Sequence, residues 1–337
     1  DDFKLNNISF DSKENLLEYV ESNVPKIGPF LKDWFSSEQY IIVSTSGSTG
    51  TPKLIKLEKE QMRNSAIFTG EYFILEHKTR ALLCLPVDYI AGKMMLVRAI
   101  TLGWHLDVIE AEINPLATST KTYDFTAMVP LQLENSLANL RLIKKLIVGG
   151  GIVSNSLQKK LQGIDTEIFA TYGMTETITH IAAKRLNHFE NTSITSQESA
   201  PFKNFYSILK NTTIYRDERN CLVIENNKIS LISDTQFEWL GRIDNVINSG
   251  GIKLHPEKIE EKLSHTISQR FFVIGLPDKK LGTKLVLVVE GKVVAIKFED
   301  LDLSKYEVPK EIYFVAHFVE TVTKKIQRQK TIALINF

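Results

Sequence analysis

The chain has 337 residues, enough for two domains or one large one. Its 43% hydrophobic and 24% charged residues are ordinary for a globular protein, and 41 Lys and Arg against 40 Asp and Glu give a net charge of +1. This balance argues against a nucleic-acid coat protein or a polybasic membrane anchor, because both bind through an excess of positive charge.

Membrane and secretion signals are also lacking in the sequence. No apolar run approaches the roughly 18 residues of a spanning helix, and the first residues, DDFKLNNISF, lack the basic-then-apolar order of a signal peptide. The two cysteines, Cys84 and Cys221, are far apart and form no metal-ligand cluster. We therefore expect a cytoplasmic protein with reduced thiols, no membrane insertion and no nucleic-acid partner.

The first segment of interest is YIIVSTSGSTGTPKLIKL, residues 40–57. Its first four residues are β-branched or aromatic and predict a buried strand. The next ten have almost no apolar side chain, and their glycines and hydroxyls could bring N–H and O–H donors to a phosphate; a solvated turn is the alternative. The candidate phosphate ligands are Ser44, Thr45, Ser46, Gly47, Ser48, Thr49, Gly50 and Lys53.

This loop is not the phosphate loop of the P-loop nucleotidases. That motif requires G-x-x-x-x-G-K-[ST], whereas Gly47 and Gly50 are three positions apart and Pro52 precedes Lys53. Proline removes a backbone donor and disfavours helix at Thr51, so we expect no helix directly after the loop.

Strand-like and helix-like segments alternate through the first 230 residues. The predicted strands, each short and bounded by Gly or Pro, are ALLCLP (81–86), HLDVIE (105–110), FTAMVP (125–130), KKLIVGGG (144–151) and EIFATYG (167–173). Predicted helices between them include LQLENSLANL (131–140) and SNSLQKKLQG (154–163). This alternation predicts an α/β fold with a doubly wound, mostly parallel sheet, which binds ligands at the carboxyl ends of its strands.

The pattern changes towards the C-terminus. Short strands separated by polar turns at 213–234 predict a small antiparallel element. A second unit then begins with HPEKIEEKLSHT (255–266), a helix with Pro256 in its first turn, and continues with the strands RFFVIGLPD and KLVLVVEGKVV. It ends in a predicted basic helix, KKIQRQKTIALINF (324–337). About 95 residues suffice for a small α+β lid domain.

Four segments, taken in order, resemble the adenylate-forming superfamily, which includes acyl- and aryl-CoA ligases, luciferases and the adenylation domains of peptide synthetases. They are STSGSTGTPK (44–53), YGMTET (172–177), GRIDNVINSGGIKLHPEKIE (241–260) and TKKIQR (323–328). The resemblance implies a large ATP- and acid-binding domain at 1–241, a hinge at 242–244 and a mobile lid domain at 245–337. It also implies two steps: a carboxylate attacks the α-phosphate of MgATP, and the thiol of coenzyme A then displaces AMP.

The same resemblance assigns the nucleotide site. The loop 44–53 would hold the β- and γ-phosphates, Thr175 and Glu176 would act beside them, and Glu176 would hold Mg²⁺ through a hard oxygen ligand. The residues implied to contact adenine or ribose are Gly149, Gly150, Gly151, Tyr172, Gly173, Asp234 and Arg242. Without the resemblance, the three glycines are typical of a strand-end turn and Asp234 of a turn or cap.

The C-terminal segments carry the implied catalytic lysine and the hinge. Lys325 matches the lysine that bridges the reacting carboxylate and the α-phosphate; Lys324 and Lys330 are alternatives, as is a solvated basic helix face. The family's usual Pro and Gly in this motif are replaced by Glu320 and Lys324. Asp244 matches the hinge about which the lid domain turns. Gly250, Gly251 and Lys253 would approach the nucleotide and the pantetheine arm in turn.

The segment LPVDYIAGKMMLVRAI (85–100) takes the place of the family's P-L-F-H-x-x-G, with Tyr89 at the histidine position. Arg98 stands where the o-succinylbenzoate ligases have an arginine near the substrate. A dicarboxylic acid keeps one carboxylate unreacted, and a buried charge needs a partner, for which Arg98 is the first candidate and Lys93 the second. The alternative is that Arg98 extends from its helix to water.

The seven histidines show no metal-ligand spacing and are expected at the surface or in the core.

The stretch before the phosphate loop is short, as in the compact o-succinylbenzoate–CoA ligases of menaquinone biosynthesis. We therefore expect an ATP-dependent acid–CoA ligase for o-succinylbenzoate that uses ATP, Mg²⁺ and coenzyme A. Another aryl- or acyl-CoA ligase is an alternative. A stand-alone amino-acid adenylation enzyme is a second one, which is weakened because the sequence shows no carrier-protein segment with a phosphopantetheine serine after Phe337. A non-catalytic nucleotide-binding relative, with the altered C-terminal motif as its signature, is a third reading. A homodimer is left open.

Overall fold

The computed structural model of the chain describes residues 2–44, 54–188, 205–209, 222–224, 227–233, 236–242, 245–299, 301–321 and 325–335, with 222–224 and 227–233 described for the backbone alone. The chain divides into two compact units: a first unit of Asp1–Val153 and Lys160–Thr212, and a second unit of Ser154–Lys159 and Thr213–Phe337. The predicted site residues outside the described ranges are Thr45, Ser46, Gly47, Ser48, Thr49, Gly50, Lys53, Asp234 and Asp244.

The first unit alternates strands and helices. Its strands are β1 (Lys4–Leu5), β2 (Ile8–Ser9), β3 (Tyr40–Ser44), β4 (Leu54–Glu58), β5 (Arg80–Leu83), β6 (His105–Val108), β7 (Tyr123–Met128), β8 (Ile143–Val148), β9 (Glu167–Gly173), β10 (His180–Arg185) and β11 (Tyr206–Ile208). Its α-helices are α1 (Lys13–Asn23), α2 (Gly28–Phe35), α3 (Lys59–Phe73), α4 (Ile90–Leu102) and α5 (Pro130–Asn135), and α6 (Asn155–Leu161) crosses the division between the units. Three short 3₁₀ turns cover Pro25–Ile27, Leu137–Leu142 and Thr175–Thr177.

Nine strands of the first unit lie side by side in the order β2-β1-β6-β5-β7-β8-β9-β10-β11. The six from β1 to β9 in this order are parallel, and β2, β10 and β11 are antiparallel to their neighbours. The five strands predicted from the sequence are all present, which confirms the mostly parallel α/β fold. The chain steps from β5 outward to β6 and then back past β5 to β7, so the winding reverses between β5 and β7. Doubly wound sheets bind ligands at the carboxyl edge beside such a reversal.

Helix α4 lies inside the first unit. Its sequence, IAGKMMLVRAITL, is apolar on nearly all sides, which is typical of a buried helix, and residues 94–99 are all buried. It ends at Gly103, whose φ of +65° is a left-handed conformation that glycine adopts without strain. The core around the sheet includes Phe73, Trp104 and Phe125, with the rings of Trp104 and Phe125 5.4 Å apart. The single arginine of α4 is therefore buried inside the first unit.

The segment that carries the predicted phosphate loop is a hairpin. β3 and β4 pair antiparallel, from Tyr40 opposite Glu58 to Ser44 opposite Leu54, with the loop between them. A strand rather than a helix follows Lys53, as expected. The prediction of a buried strand is right for one side of β3 and wrong for the other: Ile41 and Val43 are buried, but Ile42 is 58% exposed. The reason is that alternate side chains of a strand face opposite sides, and one side of this two-stranded ribbon is open.

The second unit is built from small sheets. Its elements are β12 (Leu222–Ile224), β13 (Asn227–Ser233), β14 (Gln236–Arg242), β15 (Ile247–Ser249), β16 (Ile252–Leu254), α7 (Pro256–Leu263), β17 (Phe271–Asp278), β18 (Gly282–Glu290), β19 (Glu311–Val315) and α8 (Arg328–Ile332). β12, β13 and β14 are antiparallel, as predicted for 213–234, and β15 and β16 form a hairpin. β18 pairs antiparallel with β17 and parallel with β19.

Both faces of the β17–β18–β19 sheet are covered, which explains the continuous apolar run LVLVV at 285–289 of β18. Leu285 and Leu287 of β18 pack on one face with α7, while Val286 and Val288 pack on the other with Phe318 and Ile332. The C-terminal segment is thus part of the core of the second unit.

The predicted basic helix begins later than expected. α8 starts at Arg328, and residues 325–327 are extended because their backbone pairs with 319–321. Gln327 N–H donates to the Val319 carbonyl at 2.8 Å, and Thr321 N–H donates to the Lys325 carbonyl at 2.9 Å. The predicted boundaries at 1–241, 242–244 and 245–337 stay predictions, since 243 and 244 lie outside the described residues. Among the described helices, none is both long and apolar enough to cross a membrane.

Gly92 offers a test of the packing of α4. A Cβ at this position would lie 2.3 Å from the carbonyl oxygen of Pro86, so the backbone would have to move. We expect Gly92→Ala to lower the free energy of unfolding by roughly 1–3 kcal/mol, measured by urea unfolding. The matched control is Gly163→Ala, where an added Cβ meets nothing within 4 Å, and there we expect a change within about 0.5 kcal/mol. Equal stabilities of the two variants would contradict the close approach of Pro86 to α4.

Candidate active site

Four parallel strands of the first unit, β5, β7, β8 and β9, end at one edge of the sheet. Their register is continuous: Met128 lies opposite Val148, and Val148 opposite Ala170. The segments that follow these strands therefore lie side by side at the carboxyl edge. The predicted residues brought together there are Gly149, Gly150, Gly151, Tyr172, Gly173, Thr175 and Glu176.

The three glycines after β8 leave bare backbone at this edge. Gly149 N–H donates to the Met128 carbonyl at 3.1 Å, and a Cβ on Gly149 would lie 3.0 Å from Oγ1 of Thr171. Gly150 has φ of +77°, which favours glycine. Without side chains, this strip of backbone can be approached closely by a flat ring, so it fits the predicted adenine contact.

Tyr172 is the aromatic residue beside this strip. It is 9% exposed, and its ring lies 5.8 Å from that of Tyr206 on β11. Burial raises the pKa of Tyr206 to about 12, so its hydroxyl is neutral at physiological pH. The next residue, Gly173, must be small because a Cβ there would lie 2.2 Å from the carbonyl oxygen of Thr179.

A tight 3₁₀ turn, Thr175–Thr177, follows β9 and presents Glu176. The Thr177 hydroxyl accepts from the Met174 N–H at 2.9 Å and lies 2.7 Å from the Thr179 carbonyl oxygen. Glu176 is left exposed at the turn. The described residues contain no group of three His, Cys, Asp or Glu that could hold a metal by itself. One exposed carboxylate nevertheless fits Mg²⁺, which proteins commonly bind through one or two carboxylates plus substrate phosphates.

The two lesser candidates for the acid pocket, Tyr89 and Lys93, lie at the start of α4. Tyr89 is half-buried at the N-cap position. The Lys93 ammonium donates to the carbonyl oxygens of Val87 and, at 3.0 Å, Asp88, and its burial lowers its pKa. Because these carbonyls belong to the turn before α4, the Lys93 side chain already has a structural role.

Arg98 is 1% exposed, so it does not extend to water and the alternative reading is wrong. Its Nη2 donates to Oγ1 of Thr179 at 2.8 Å and its Nε to Oγ1 of Thr69 at 3.3 Å, while Nη1 lies 3.8 Å from Sδ of Met95. Within the described part of the chain, no carboxylate pairs with it. Burial lowers the pKa of Arg98 to about 9, so it stays a cation at neutral pH, and its charge is uncompensated by these neighbours.

Lys325 lies in the extended segment before α8. It is partly buried, and both burial and the nearby guanidinium of Arg242, at the end of β14, lower its pKa. Lys330, by contrast, is exposed on α8, and Lys324 lies outside the described residues. Because burial and this guanidinium both disfavour the charged form of Lys325, a bound anion beside the lysine would stabilise it.

The position of this segment is fixed by Arg328. Its guanidinium donates to the Val273 carbonyl at 3.1 Å and to Oε2 of Glu260 at 3.0 Å, and it lies over the ring of Phe272. Burial raises the pKa of Glu260 to about 7, although Arg328 opposes that shift. This pair ties the residues after Lys325 to α7 and β17.

The remaining predicted residues of the second unit lie on the β15–β16 hairpin. Gly250 and Gly251 form its turn, with φ of +58° and +84°. Gly250 N–H donates to the Leu281 carbonyl at 2.9 Å, and Lys253 is exposed. An exposed turn with an exposed cation can contact a large phosphorylated ligand such as coenzyme A.

Sequence reasoning missed Thr69, Thr179 and His180, which surround Arg98. His180 follows the YGMTET segment closely, but Thr69 lies 111 residues before it, on α3. No spacing rule links residues that far apart, so a signal for this cluster exists only in three dimensions.

Comparison with known proteins gives consistent results. Residues 8–203 match the family described as AMP-binding enzyme. A 2-succinylbenzoate–CoA ligase of Bacillus cereus is 25% identical over 97% of this chain and 77% of its own length. Another, of Bacillus cytotoxicus, is 26% identical over 93% of this chain and 74% of its own.

Solved structures agree with the fold. An acyl-CoA synthetase (AMP-forming)/AMP-acid ligase II-like protein of Dyadobacter fermentans is 36% identical, with a TM-score of 0.59 over 92% of this chain and 95% of that one. The o-succinylbenzoate coenzyme A synthetase of Bacillus subtilis, solved with ATP and a magnesium ion, has a TM-score of 0.69 and 18% identity over 95% of this chain and 82% of its own. The second likeness, at that identity, shows the fold alone.

The Arg328–Glu260 pair generates a stability prediction. Arg328→Met leaves the mostly buried Glu260 without its cation, and we expect a loss of roughly 3–5 kcal/mol in the free energy of unfolding. Lys160→Met is the control: Lys160 pairs with Glu134 at 3.6 Å and both side chains are more than half exposed, so the loss should stay below about 1 kcal/mol.

The loss should also depend on pH. The folded-state pKa of Glu260 lies above its unfolded value, so stability falls as pH rises from the unfolded pKa through about 7. Without Arg328 that pKa rises further, and the stability of Arg328→Met should fall more steeply above pH 7 than that of the native chain. Parallel profiles in urea unfolding at several pH values would contradict a buried ion pair here.

Proposed function

The chain belongs to the AMP-binding enzyme family and is an AMP-forming acid–thiol ligase, and on that premise we propose that it joins o-succinylbenzoate to coenzyme A through an acyl-adenylate. The observation that carries the choice of acid is Arg98, a buried guanidinium whose described hydrogen-bond partners are all neutral. Support also comes from the 2-succinylbenzoate–CoA ligases that are 25% and 26% identical. Menaquinone biosynthesis as its pathway is part of this proposal.

In the first half-reaction a carboxylate oxygen of the acid attacks the α-phosphorus of ATP, and the bond to pyrophosphate breaks. Negative charge gathers on the α-phosphate oxygens in the transition state, where Lys325 and Arg242 would stabilise it. Adenine would lie on the backbone of Gly149–Gly151 beside Tyr172. Magnesium, held by Glu176 and the phosphates, would supply further positive charge to the leaving pyrophosphate.

In the second half-reaction the thiol of coenzyme A attacks the acyl carbonyl carbon. The carbon–oxygen bond to AMP then breaks, the thiol proton is released, and the products are a thioester and AMP. Gly250, Gly251 and Lys253 on the β15–β16 turn are the residues that we assign to this step. Rotation about Asp244 between the two steps is part of the proposal. A cytoplasmic location and a homodimer stay predictions from the sequence.

The second carboxylate of the acid would lie against Arg98. A guanidinium has five N–H groups, and in the described part of the chain three have acceptors on Thr69, Thr179 and Met95. One N–H on each Nη is left to donate, which suits the two oxygens of a carboxylate. Both charges would be out of water, so each would be costly to bury without the other. Lys93 is the weaker candidate because the turn before α4 uses its ammonium.

Lys325 should matter for adenylation far more than for thioester formation. The α-phosphate charge that it stabilises develops in the first step, so Lys325→Ala should slow ATP–pyrophosphate exchange by roughly 10²–10³-fold. Reaction of synthetic acyl-adenylate with coenzyme A should change little. Lys330→Ala, which removes an exposed lysine of α8, is the matched control and should leave both reactions near native rates. Equal damage to both half-reactions, or a greater effect at Lys330, would refute the assignment.

The acid itself is tested by ATP–pyrophosphate exchange with o-succinylbenzoate and with a monocarboxylate analogue, on the native chain and on Arg98→Leu. We expect native exchange with the diacid and little with the analogue. Arg98→Leu should lower kcat/KM for the diacid by an amount equivalent to roughly 2–5 kcal/mol and leave KM for ATP unchanged. The relative disadvantage of the analogue should shrink, because the variant has no unpaired guanidinium.

The other outcomes of this experiment are also informative. The two acids and the two proteins form a double-mutant cycle. A coupling free energy of zero between Arg98 and the second carboxylate would mean that the two groups are not in contact. Exchange with other acids alone would reassign the substrate. Exchange with no acid would favour a nucleotide-binding protein without catalytic activity.

A further inference from the structure

Four side chains form a closed ring of hydrogen-bonding contacts around Arg98. Thr69 comes from α3, Arg98 from α4, Thr179 from the segment before β10, and His180 from the start of β10. Arg98 Nε donates to Thr69 Oγ1 at 3.3 Å, and Arg98 Nη2 donates to Thr179 Oγ1 at 2.8 Å. His180 completes the ring, with Nε2 3.5 Å from Thr69 Oγ1 and Nδ1 3.2 Å from Thr179 Oγ1.

The other contacts of the ring determine which imidazole nitrogen carries the proton. The Thr69 hydroxyl donates to the Ser65 carbonyl at 2.9 Å, so towards His180 its oxygen can only accept. His180 Nε2 must therefore carry a proton. Thr179 Oγ1 accepts from Arg98 and keeps its own proton, which it can donate to an unprotonated Nδ1. All contacts are then satisfied by a neutral imidazole protonated on Nε2.

We propose that neutral His180 is a positioning residue: through Thr69 and Thr179 it orients the Arg98 guanidinium towards the second carboxylate of the substrate without neutralising its charge. This deepens the proposed function and rests on it. A carboxylate in the place of His180 would pair with Arg98 and compete with the substrate. An imidazolium would repel Arg98. A neutral ring with one donor and one acceptor avoids both effects.

The surroundings keep His180 neutral. It is 7% exposed, and the ring of Phe73 from α3 lies 5.8 Å from its own. Burial and the positive charge of Arg98 both lower the pKa of His180 well below its usual range. Among the described groups that contact His180, Thr69, Thr179 and Phe73 are neutral, and the positive charge that acts on it is that of Arg98 on α4.

The kinetic test compares His180→Phe with the native chain. Phenylalanine keeps a flat ring beside Phe73 but removes both polar contacts, so the guanidinium loses its fixed orientation. We expect KM for o-succinylbenzoate to rise roughly tenfold, with kcat and KM for ATP within about twofold. Activity with the monocarboxylate should be unchanged. In an Arg98→Leu background the same substitution should have no further effect on the diacid.

Two results would overturn the proposal: an equal loss with both acids, or an undiminished loss in the Arg98→Leu background. His180→Gln, whose amide offers one donor and one acceptor, should recover most of the diacid KM. Thr69→Val should raise it as His180→Phe does. A glutamine variant no better than phenylalanine, with both folded by circular dichroism, would likewise contradict a hydrogen-bonding role.

Histidine ¹⁵N NMR of the full chain separates this inference from the proposed function. The signals of His180 are those that His180→Phe removes. They should show protonation on Nε2 alone, unchanged from about pH 6 to about pH 8. Protonation on Nδ1, or titration in that range, would refute the inference whichever acid the enzyme uses. If the expected tautomer is found but o-succinylbenzoate does not react, the proposed substrate fails while the ring geometry stands.

Discussion

The buried cation of Arg98 is the interaction on which the proposed acid site of the first unit depends. Arg98 lies on a helix that is buried on nearly all sides, and moving a cation from water into such a place is costly unless it is hydrogen-bonded and paired. Two threonines supply hydrogen bonds, but neither supplies negative charge. With no counter-ion among the described residues, this cation is suited to a ligand that brings one. In the proposed function, the second carboxylate of the acid is that counter-ion.

A similar principle applies in the second unit, where Lys325 and Arg242 are close enough to lower the pKa of the lysine. Each unit thus holds a cation in a partly or wholly desolvated position. Preorganised charge of this kind stabilises developing negative charge without having to reorganise during the reaction. The Arg328–Glu260 pair supports this arrangement mechanically, because it fixes the chain three residues after Lys325 to a packed sheet and helix.

The sequence predicted the parallel strands well because each is a short apolar run bounded by Gly or Pro, and their carboxyl edge brings 149–151 and 172–176 together as expected. The sequence predicted the structure less well where pairing with distant residues determines the backbone conformation. KKIQRQK has helical composition, yet residues 325–327 are extended because their backbone partners lie at 319–321. The ring around Arg98 joins side chains of α3, α4 and the start of β10. Sequence periodicity does not predict contacts between residues of such distant elements. Local patterns therefore gave the elements and the motifs, whereas the surroundings of Arg98 required the fold.

The most direct test of the account is a crystal structure of the chain with a non-hydrolysable acyl-adenylate analogue of o-succinylbenzoate. The account predicts that the free carboxylate lies with an oxygen about 2.7–2.9 Å from an Nη atom of Arg98, while the contacts of Arg98 to Thr69 and Thr179 persist. A free carboxylate bound at Lys93 or exposed to solvent, with the guanidinium still bonded to neutral groups alone, would contradict it.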